Sequence, residues 1–168
     1  MDLSLIGRCL GAALLSTLSM DLGATLFRKL GLTMGTPPEL FARWLGNILQ
    51  GRLFHHTIVD APDVKVPMGI AVLTHYLIGT GLTVAFWLLM RAGPLKSMSN
   101  VGLIAAAVVF GVFTNVLPWL FMFPAMGFGA FGKDAPADLL LFRTSFINHV
   151  FFGIGLAWTV LVFGKVRA

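Results

Sequence analysis

Four long apolar runs, separated by shorter polar stretches, dominate the pattern of this 168-residue chain. They cover approximately Leu5–Phe27, Pro67–Met90, Val101–Phe123 and Leu139–Phe163. Each run is long enough to cross a membrane, since a helix needs about 20 mostly apolar residues to span roughly 30 Å of hydrocarbon. Backbone amides in lipid must find partners within their own segment, so the pattern predicts four transmembrane helices.

A shorter segment between the first two runs has the pattern of an amphipathic helix, over residues 37–50. Its apolar residues recur at three- and four-residue spacing, and Thr36 is placed to cap its start. The polar residues on its other side are Glu39, Arg43, Asn47 and Gln50. We expect this helix either to lie in the membrane interface or to pack on the end of the bundle.

Composition agrees with an integral membrane protein. Hydrophobic residues make up 57% of the chain and charged residues 11%, and the mean hydropathy is +0.88. A soluble domain carries about 25% charged residues. The net charge of +5 comes from Lys and Arg at the ends of the apolar runs rather than from a basic stripe, so we expect a lipid bilayer and no nucleic acid as partner. The single cysteine, Cys9, excludes an internal disulfide.

One motif occurs twice. His-x-x-x-Gly-x-Gly-Leu stands at 75–82 and, at an offset of 74, at 149–156, and the same offset aligns Asp-Ala-Pro at 60–62 with 134–136. The first and third runs align at an offset of 94, which places Asp21 on Asn115. The sequence therefore predicts one membrane domain, 1–168, made of two hairpin repeats, 5–90 and 101–163. Because two spans return to the starting side, the repeats should have parallel orientations.

Four polar side chains interrupt the apolar runs: Asp21, His75, Asn115 and His149. At about 1.5 Å per residue, all four lie roughly 9–15 Å below the same membrane surface. Each shares a helix face with small residues, which predicts that it points into the bundle. We expect Asp21 with His75, and Asn115 with His149, to bind a proton or another ligand, because ionisable groups in a membrane are usually functional. The alternative is interhelical hydrogen bonds that only hold the helices together.

Three other features are weaker. His55, His56 and Asp60 would serve a site near the membrane surface, although no His-x-x-x-His or Cys-x-x-Cys motif predicts a metal. The glycine-rich segment 124–130 is expected to be a flexible loop, with a close-fitting turn as the alternative. Pro118 removes the helical donor for the carbonyl of Thr114, which predicts a kink or an additional acceptor there.

Several motifs along the chain form a distinctive ordered set. They are Arg43-Trp44-Leu45-Gly46, Gly51-Arg52-x-Phe54-His55, His75-Tyr76-x-Ile78-Gly79 and Pro124-x-Met126-Gly127-x-Gly129. Together they resemble an uncharacterised family of small bacterial four-span membrane proteins, a domain-of-unknown-function family. The resemblance covers almost the whole chain and implies four helices in a bacterial inner membrane. It implies no catalytic residue and no substrate.

Three classes of function fit these features. The first is binding and translocation of an ion or small molecule through the polar site inside the bundle. The second is a redox protein in which His75 and His149 ligate a haem, with the glycine four residues after each leaving room for the ring. A spectrum without a Soret band would exclude haem. The third is a structural or assembly subunit that binds another membrane protein or a second copy of the chain.

Cationic residues indicate the orientation. The termini and the second connection carry theirs in short segments, whereas the opposite side carries more in total, over longer loops. The short-segment cations are Arg8, Arg91, Lys96, Lys165 and Arg167. Positive charge in short loops favours the cytoplasmic side, so we expect both termini in the cytoplasm.

Overall fold

The fold is all-helical in the computed structural model, which describes residues 3–34 and 37–163 and places no strand among them. The α-helices are α1 (Leu3–Lys29), α2 (Pro38–Leu49), α3 (Met68–Ala92), α4 (Asn100–Phe113), α5 (Phe123–Ala125) and α6 (Leu141–Phe163). A π-helical segment, Pro118–Met122, precedes α5, and 3₁₀ turns occupy Ala130–Gly132 and Ala137–Leu139. The all-α prediction is confirmed. Thr36, Lys165 and Arg167 lie outside the described residues.

Four stretches are long and apolar enough to cross a membrane, as predicted. They are Gly7–Lys29, Met68–Arg91, Asn100–Ala125 and Ala137–Phe163. The first helix ends where its sequence changes from apolar to cationic, with Arg28 and Lys29 in the last turn. Gly31 then turns the chain with φ +68°, and the N–H of Leu32 donates to the carbonyl of Phe27 at 3.0 Å, a Schellman-type ending.

The faces of α1 are arranged as lipid requires. Leucines at every fourth position are 46–63% exposed, whereas the small residues opposite are at most 2% exposed. The exposed leucines are Leu10, Leu14, Leu18, Leu22 and Leu26, and the buried residues are Ala12, Ala13, Ser16 and Thr17. A continuous apolar stripe of this length is unusual on a protein surface in water, and small residues allow close helix approach in a membrane.

The chain divides into two compact units. The first comprises the described parts of Met1–Gly23, Tyr76–Thr114 and Asn148–Ala168, and the second comprises the described parts of Ala24–His75 and Asn115–Ile147. Each unit takes residues from both predicted repeats, so the units are not the repeats. The duplication therefore stays a prediction.

Close helix contacts build the first unit. A Cβ placed on Gly153 would lie 2.9 Å from the Cα of Val108, and one on Gly155 would lie 2.7 Å from the Cα of Ser16. Such distances are closer than ordinary van der Waals contact, so α6 approaches both α4 and α1 through its glycines. The hydroxyl of Ser19 on α1 donates to the carbonyl of Phe151 at 2.9 Å and adds a polar contact to the packing.

In the second unit, α2 is covered on both sides. Trp44 belongs to a buried core with Phe123 and Phe128, and its indole N–H donates to the carbonyl of Leu53 at 2.9 Å. Asn47, fully buried and on the same face, donates to the carbonyl of Pro62 at 3.1 Å. On another face, a Cβ placed on Gly46 would collide with the carbonyl of Val64. Pro37 stands at the N-cap position without a side-chain capping bond. Within this unit α2 is thus packed against its neighbours, and its position relative to a membrane stays a prediction.

The glycine-rich segment forms a buried turn rather than the expected flexible loop. Ala125 and Met126 are 0% exposed, and their carbonyls accept from the backbone N–H groups of His55 and Ile58 at 2.9 and 2.8 Å. Gly127 has φ +83°, and a Cβ there would collide with the carbonyl of His56. Glycine is needed at this position for both reasons, so the close-fitting turn was the correct alternative.

Candidate functional site

The third membrane-capable stretch is interrupted in its middle. Helix α4 ends at Phe113, Thr114 and Asn115 form a turn, and the π-helical segment begins at Pro118. Pro118 has no N–H to donate to the carbonyl of Thr114, which explains the break. This interruption of the helix agrees with the kink predicted at Pro118. π-Helical turns are rare and often occur at functional sites, so the surrounding polar contacts are of interest.

His149 on α6 contacts Thr114 within the first unit. The Nδ1 atom of His149 lies 2.7 Å from the hydroxyl oxygen of Thr114, and that hydroxyl also donates to the carbonyl of Gly111 at 2.6 Å. A hydroxyl has one hydrogen, so the two contacts are satisfied together when His149 donates through Nδ1–H. In that tautomer Nε2 is the acceptor of the ring.

Asn115 is paired within the second unit. It is 0% exposed, and its Oδ1 accepts from the hydroxyl of Ser145 on α6 at 2.7 Å. The pairing of Asn115 with His149 expected from the sequence stays a prediction, beside the contacts of Asn115 with Ser145 and of His149 with Thr114. Both are neutral hydrogen bonds between α6 and the interrupted stretch.

Asp21 is paired with a residue that the sequence analysis missed. The hydroxyl of Tyr76 on α3 donates to the carboxylate Oδ2 of Asp21 on α1 at 2.9 Å, and both residues are partly buried in the first unit. Tyr76 is the one tyrosine in the chain and directly follows His75. A lone tyrosine in an apolar run was the signal for it. His75 is partly buried on α3 and belongs to the second unit.

The first glycine of each repeated motif is at a helix contact. A Cβ on Gly79 would collide with the hydroxyl of Thr17 on α1, and a Cβ on Gly111 would collide with Gly153. The space beside Gly153, which the haem hypothesis would use for the ring, is thus occupied by the backbone of α4. Haem ligation by His75 and His149 stays a prediction with its spectroscopic test.

The loop candidates line two open clefts in the second unit. His55, His56 and Asp60 line a cleft of about 250 Å³, and His56, Asp60 and Asp134 are among the residues around another of about 380 Å³. Within the described residues, no group of three or more His, Cys, Asp or Glu side chains is arranged to hold a metal. The clefts therefore provide polar surface without a metal centre in the described part of the chain.

An ion-pair cluster surrounds Asp63 in the same unit. The carboxylate of Asp63 lies 3.1 Å from Nζ of Lys65 and 3.0 Å from a guanidinium nitrogen of Arg43. The hydrogen bond from Lys65 is the main cause that lowers the pKa of Asp63, and the charges of Lys65 and Arg43 add to it. Arg43 also donates to the carbonyl of Val59 at 2.6 Å, so it joins α2 to the following loop.

These features define a class: helical proteins with four membrane-capable stretches and polar side chains paired between helices. The chain belongs to the family described as "Protein of unknown function (DUF2938)", which matches residues 10–163. Membership in a domain-of-unknown-function family is therefore confirmed. No curated protein and no solved structure matches the chain.

Proposed function

We propose that this protein binds a cation at Asp21 and moves it across a membrane. The observation that carries the proposal is the carboxylate of Asp21 within a membrane-capable helix, hydrogen-bonded to the hydroxyl of Tyr76 at 2.9 Å. An acidic residue at the centre of a transmembrane helix costs about 2.5–3.5 kcal/mol on insertion scales. One interhelical hydrogen bond returns about 0.6 kcal/mol on average. The bond to Tyr76 by itself therefore gives a weak reason for a carboxylate here.

The contacts of the third membrane-capable stretch support assigning cation binding to the first predicted repeat. Asn115 with Ser145, and His149 with Thr114, are neutral pairs that satisfy buried polar groups. Such pairs suit a role in holding helices together. Asp21 is the charged member of the predicted set, so we assign it the cation, and we assign His75, beside Tyr76, a supporting role.

Equivalent helix contacts support the proposed duplication. The offset of 74 equates Gly79 with Gly153, and the offset of 94 equates Thr17 with Gly111. Gly79 packs on Thr17, and Gly153 packs on Gly111. The contact of Gly79 with Thr17 in the first predicted repeat thus corresponds to the contact of Gly153 with Gly111 in the second. In transporters built from repeats, the ion site lies at the repeat interface near the middle of the membrane.

We propose the bacterial inner membrane as the location.

Reconstitution tests the proposal directly. Purified protein in liposomes that contain a pH-sensitive dye is given an imposed membrane potential, and proton, sodium and potassium fluxes are compared with those of empty liposomes. Asp21→Asn keeps the side-chain shape and removes the charge, so we expect at least a roughly tenfold loss of flux, equivalent to about 1.4 kcal/mol in barrier height. Asp138→Asn, at an exposed position in the 3₁₀ turn before α6, is the matched control. Equal flux in Asp21→Asn and wild type would refute the proposal.

A further inference from the structure

Three buried hydroxyls in the membrane-capable stretches, those of Thr17, Thr83 and Thr144, differ from most others, and the first two lie in the first unit. Ser16, Thr80 and Thr159 each donate to a carbonyl of their own helix, at 2.7–2.8 Å. Thr17 and Thr83 are 1% and 0% exposed, and their hydroxyls have no hydrogen-bond partner within the described part of the protein. The indole N–H of Trp87, a residue 2% exposed, has none there either.

All three residues belong to the first unit, Thr17 on α1 and Thr83 and Trp87 on α3. Tyr76, Gly79, Thr83 and Trp87 are spaced by three, four and four residues, so they share one face of α3. On α1, Asp21 meets Tyr76, and Thr17, one turn away, meets Gly79. The polar groups of Asp21, Tyr76, Thr17, Thr83 and Trp87 therefore form a row, which is called the polar row. It starts at Asp21 and follows α3 for about 16 Å, at 1.5 Å per residue.

A dry row of this kind would be unfavourable. Each buried polar group without a partner lowers stability, and lipid provides no alternative donor or acceptor. Buried water typically makes about three hydrogen bonds to polar groups of this type. Water molecules between Thr17, Thr83 and Trp87 would satisfy all three groups.

We propose that Thr17, Thr83 and Trp87 line a chain of water molecules that conducts protons to Asp21. This inference rests on the proposed function and names its ion as the proton. A water molecule that accepts a proton from its neighbour in the chain would pass one to the carboxylate of Asp21, which becomes a carboxylic acid and later releases that proton. Threonine hydroxyls both accept and donate, so they can take part in the transfer. The indole N–H only donates, so Trp87 orients a water molecule and relays nothing.

The chemistry of the row favours a proton over a metal cation. Metal cations such as Mg²⁺ and Ca²⁺ require several oxygen ligands around them. Beyond Asp21 and Tyr76, the row supplies two hydroxyl oxygens and an N–H group that repels a cation. A proton moves along hydrogen-bonded water and needs no such cage.

Threonine-to-valine substitutions test the row because they remove the hydroxyl and keep the shape. Proton flux is measured in the dye-loaded liposomes for Thr17→Val, Thr83→Val and the control Thr80→Val, whose hydroxyl bonds its own helix. We expect each of the first two to reduce flux about tenfold and the control to leave it unchanged. If Asp21→Asn abolishes flux while both valine variants conduct like wild type, the row is refuted and the proposed function stands. If wild type conducts no better than empty liposomes, both are refuted.

Hydrogen exchange at the indoles provides a readout that is independent of activity. Protein with ¹⁵N-labelled tryptophan in lipid nanodiscs is transferred to D₂O, and the loss of each indole N–H signal is followed by NMR. Trp44, whose N–H is bonded to the carbonyl of Leu53, is the internal reference. Water at Trp87 predicts exchange at least as fast as at Trp44. Slower exchange at Trp87 would show a dry row and overturn the inference.

Discussion

At the scale of single residues, the polar groups in the apolar helices divide by charge. Ser145 with Asn115 and Thr114 with His149 form neutral pairs at neighbouring positions of the third stretch. Asp21 is a carboxylate with a tyrosine hydroxyl as its partner. In lipid, helices gain little from the hydrophobic effect when they associate, so neutral pairs contribute directly to helix association.

The pair of Asn115 and Ser145 should show measurable energetic coupling. In a double-mutant cycle with Asn115→Ala and Ser145→Ala, we expect a coupling free energy of about 0.6 kcal/mol, and at most about 1.7 kcal/mol. Unfolding in mixed detergent micelles gives the four free energies. Ser145→Ala combined with Thr74→Val provides the control, because the hydroxyl of Thr74 bonds the carbonyl of Ile70 in its own helix, so the two effects should be additive. Additive effects in the Asn115 cycle would contradict the assigned hydrogen bond.

Asp63 gives a prediction about pH. Its pKa lies below the ordinary value of 3.8, mainly because Lys65 donates a hydrogen bond to it. The folded state therefore favours the carboxylate form of Asp63. The small stabilisation of the folded state that results is fully present above the ordinary pKa of 3.8 and is lost as the pH falls through the lowered pKa. We expect Lys65→Met to raise the pKa of Asp63, measured by NMR titration of the carboxyl carbon. Lys133→Met, at another exposed lysine, should leave it unchanged. An unchanged pKa in Lys65→Met would contradict the assignment.

The sequence predicted some of these residues and missed their partners for a physical reason. Asp21 and His149 stand out because charged and imidazole groups are rare in apolar runs. Thr114 does not stand out, since a threonine is tolerated in a membrane helix, and the lone Tyr76 is a weaker signal than a charged group. Which of them meets a partner depends on the register between two helices, and no local pattern contains that register.

At the scale of elements, the spans were predictable because each is a long continuous signal. The observed helix ends lie within about two residues of the apolar runs at most positions, as is normal for helix boundaries. The sequence offered the buried turn at 124–130 only as an alternative to a flexible loop, because its order comes from backbone bonds to His55 and Ile58 far away in the sequence. Glycine density alone does not distinguish a tight turn from a mobile loop.

The glycines of the repeated motif should respond differently to alanine. Gly153→Ala would place a Cβ 2.9 Å from the backbone of Val108, so α4 and α6 must move apart, and we expect a loss of about 1–3 kcal/mol. Gly81 is exposed, and a Cβ added there would have nothing within 4 Å, so Gly81→Ala should stabilise the helix by roughly 0.5–1 kcal/mol. Both free energies come from unfolding in mixed micelles. Equal effects of the two substitutions would contradict the packing assigned to Gly153.

At the scale of the whole molecule, the number of spans determines which loops share a side. One membrane-capable stretch, Asn100–Ala125, separates the connection around Ser97 from the loop around Lys133. These two positions should therefore be on opposite sides of the membrane. Arg91 at the end of α3 and Lys96 in the short connection lead us to expect that connection in the cytoplasm.

Cysteine labelling of intact cells tests this topology. In a Cys9→Ala background, Lys133→Cys should react with a membrane-impermeant maleimide from outside, and Ser97→Cys should react only after the membrane is permeabilised. Both positions are exposed, so a missing signal reports the membrane rather than burial. The reverse pattern would refute the cytoplasmic termini and keep the four spans. Labelling of both positions from outside would show that Asn100–Ala125 does not cross the membrane, because a single crossing cannot leave its two ends on one side.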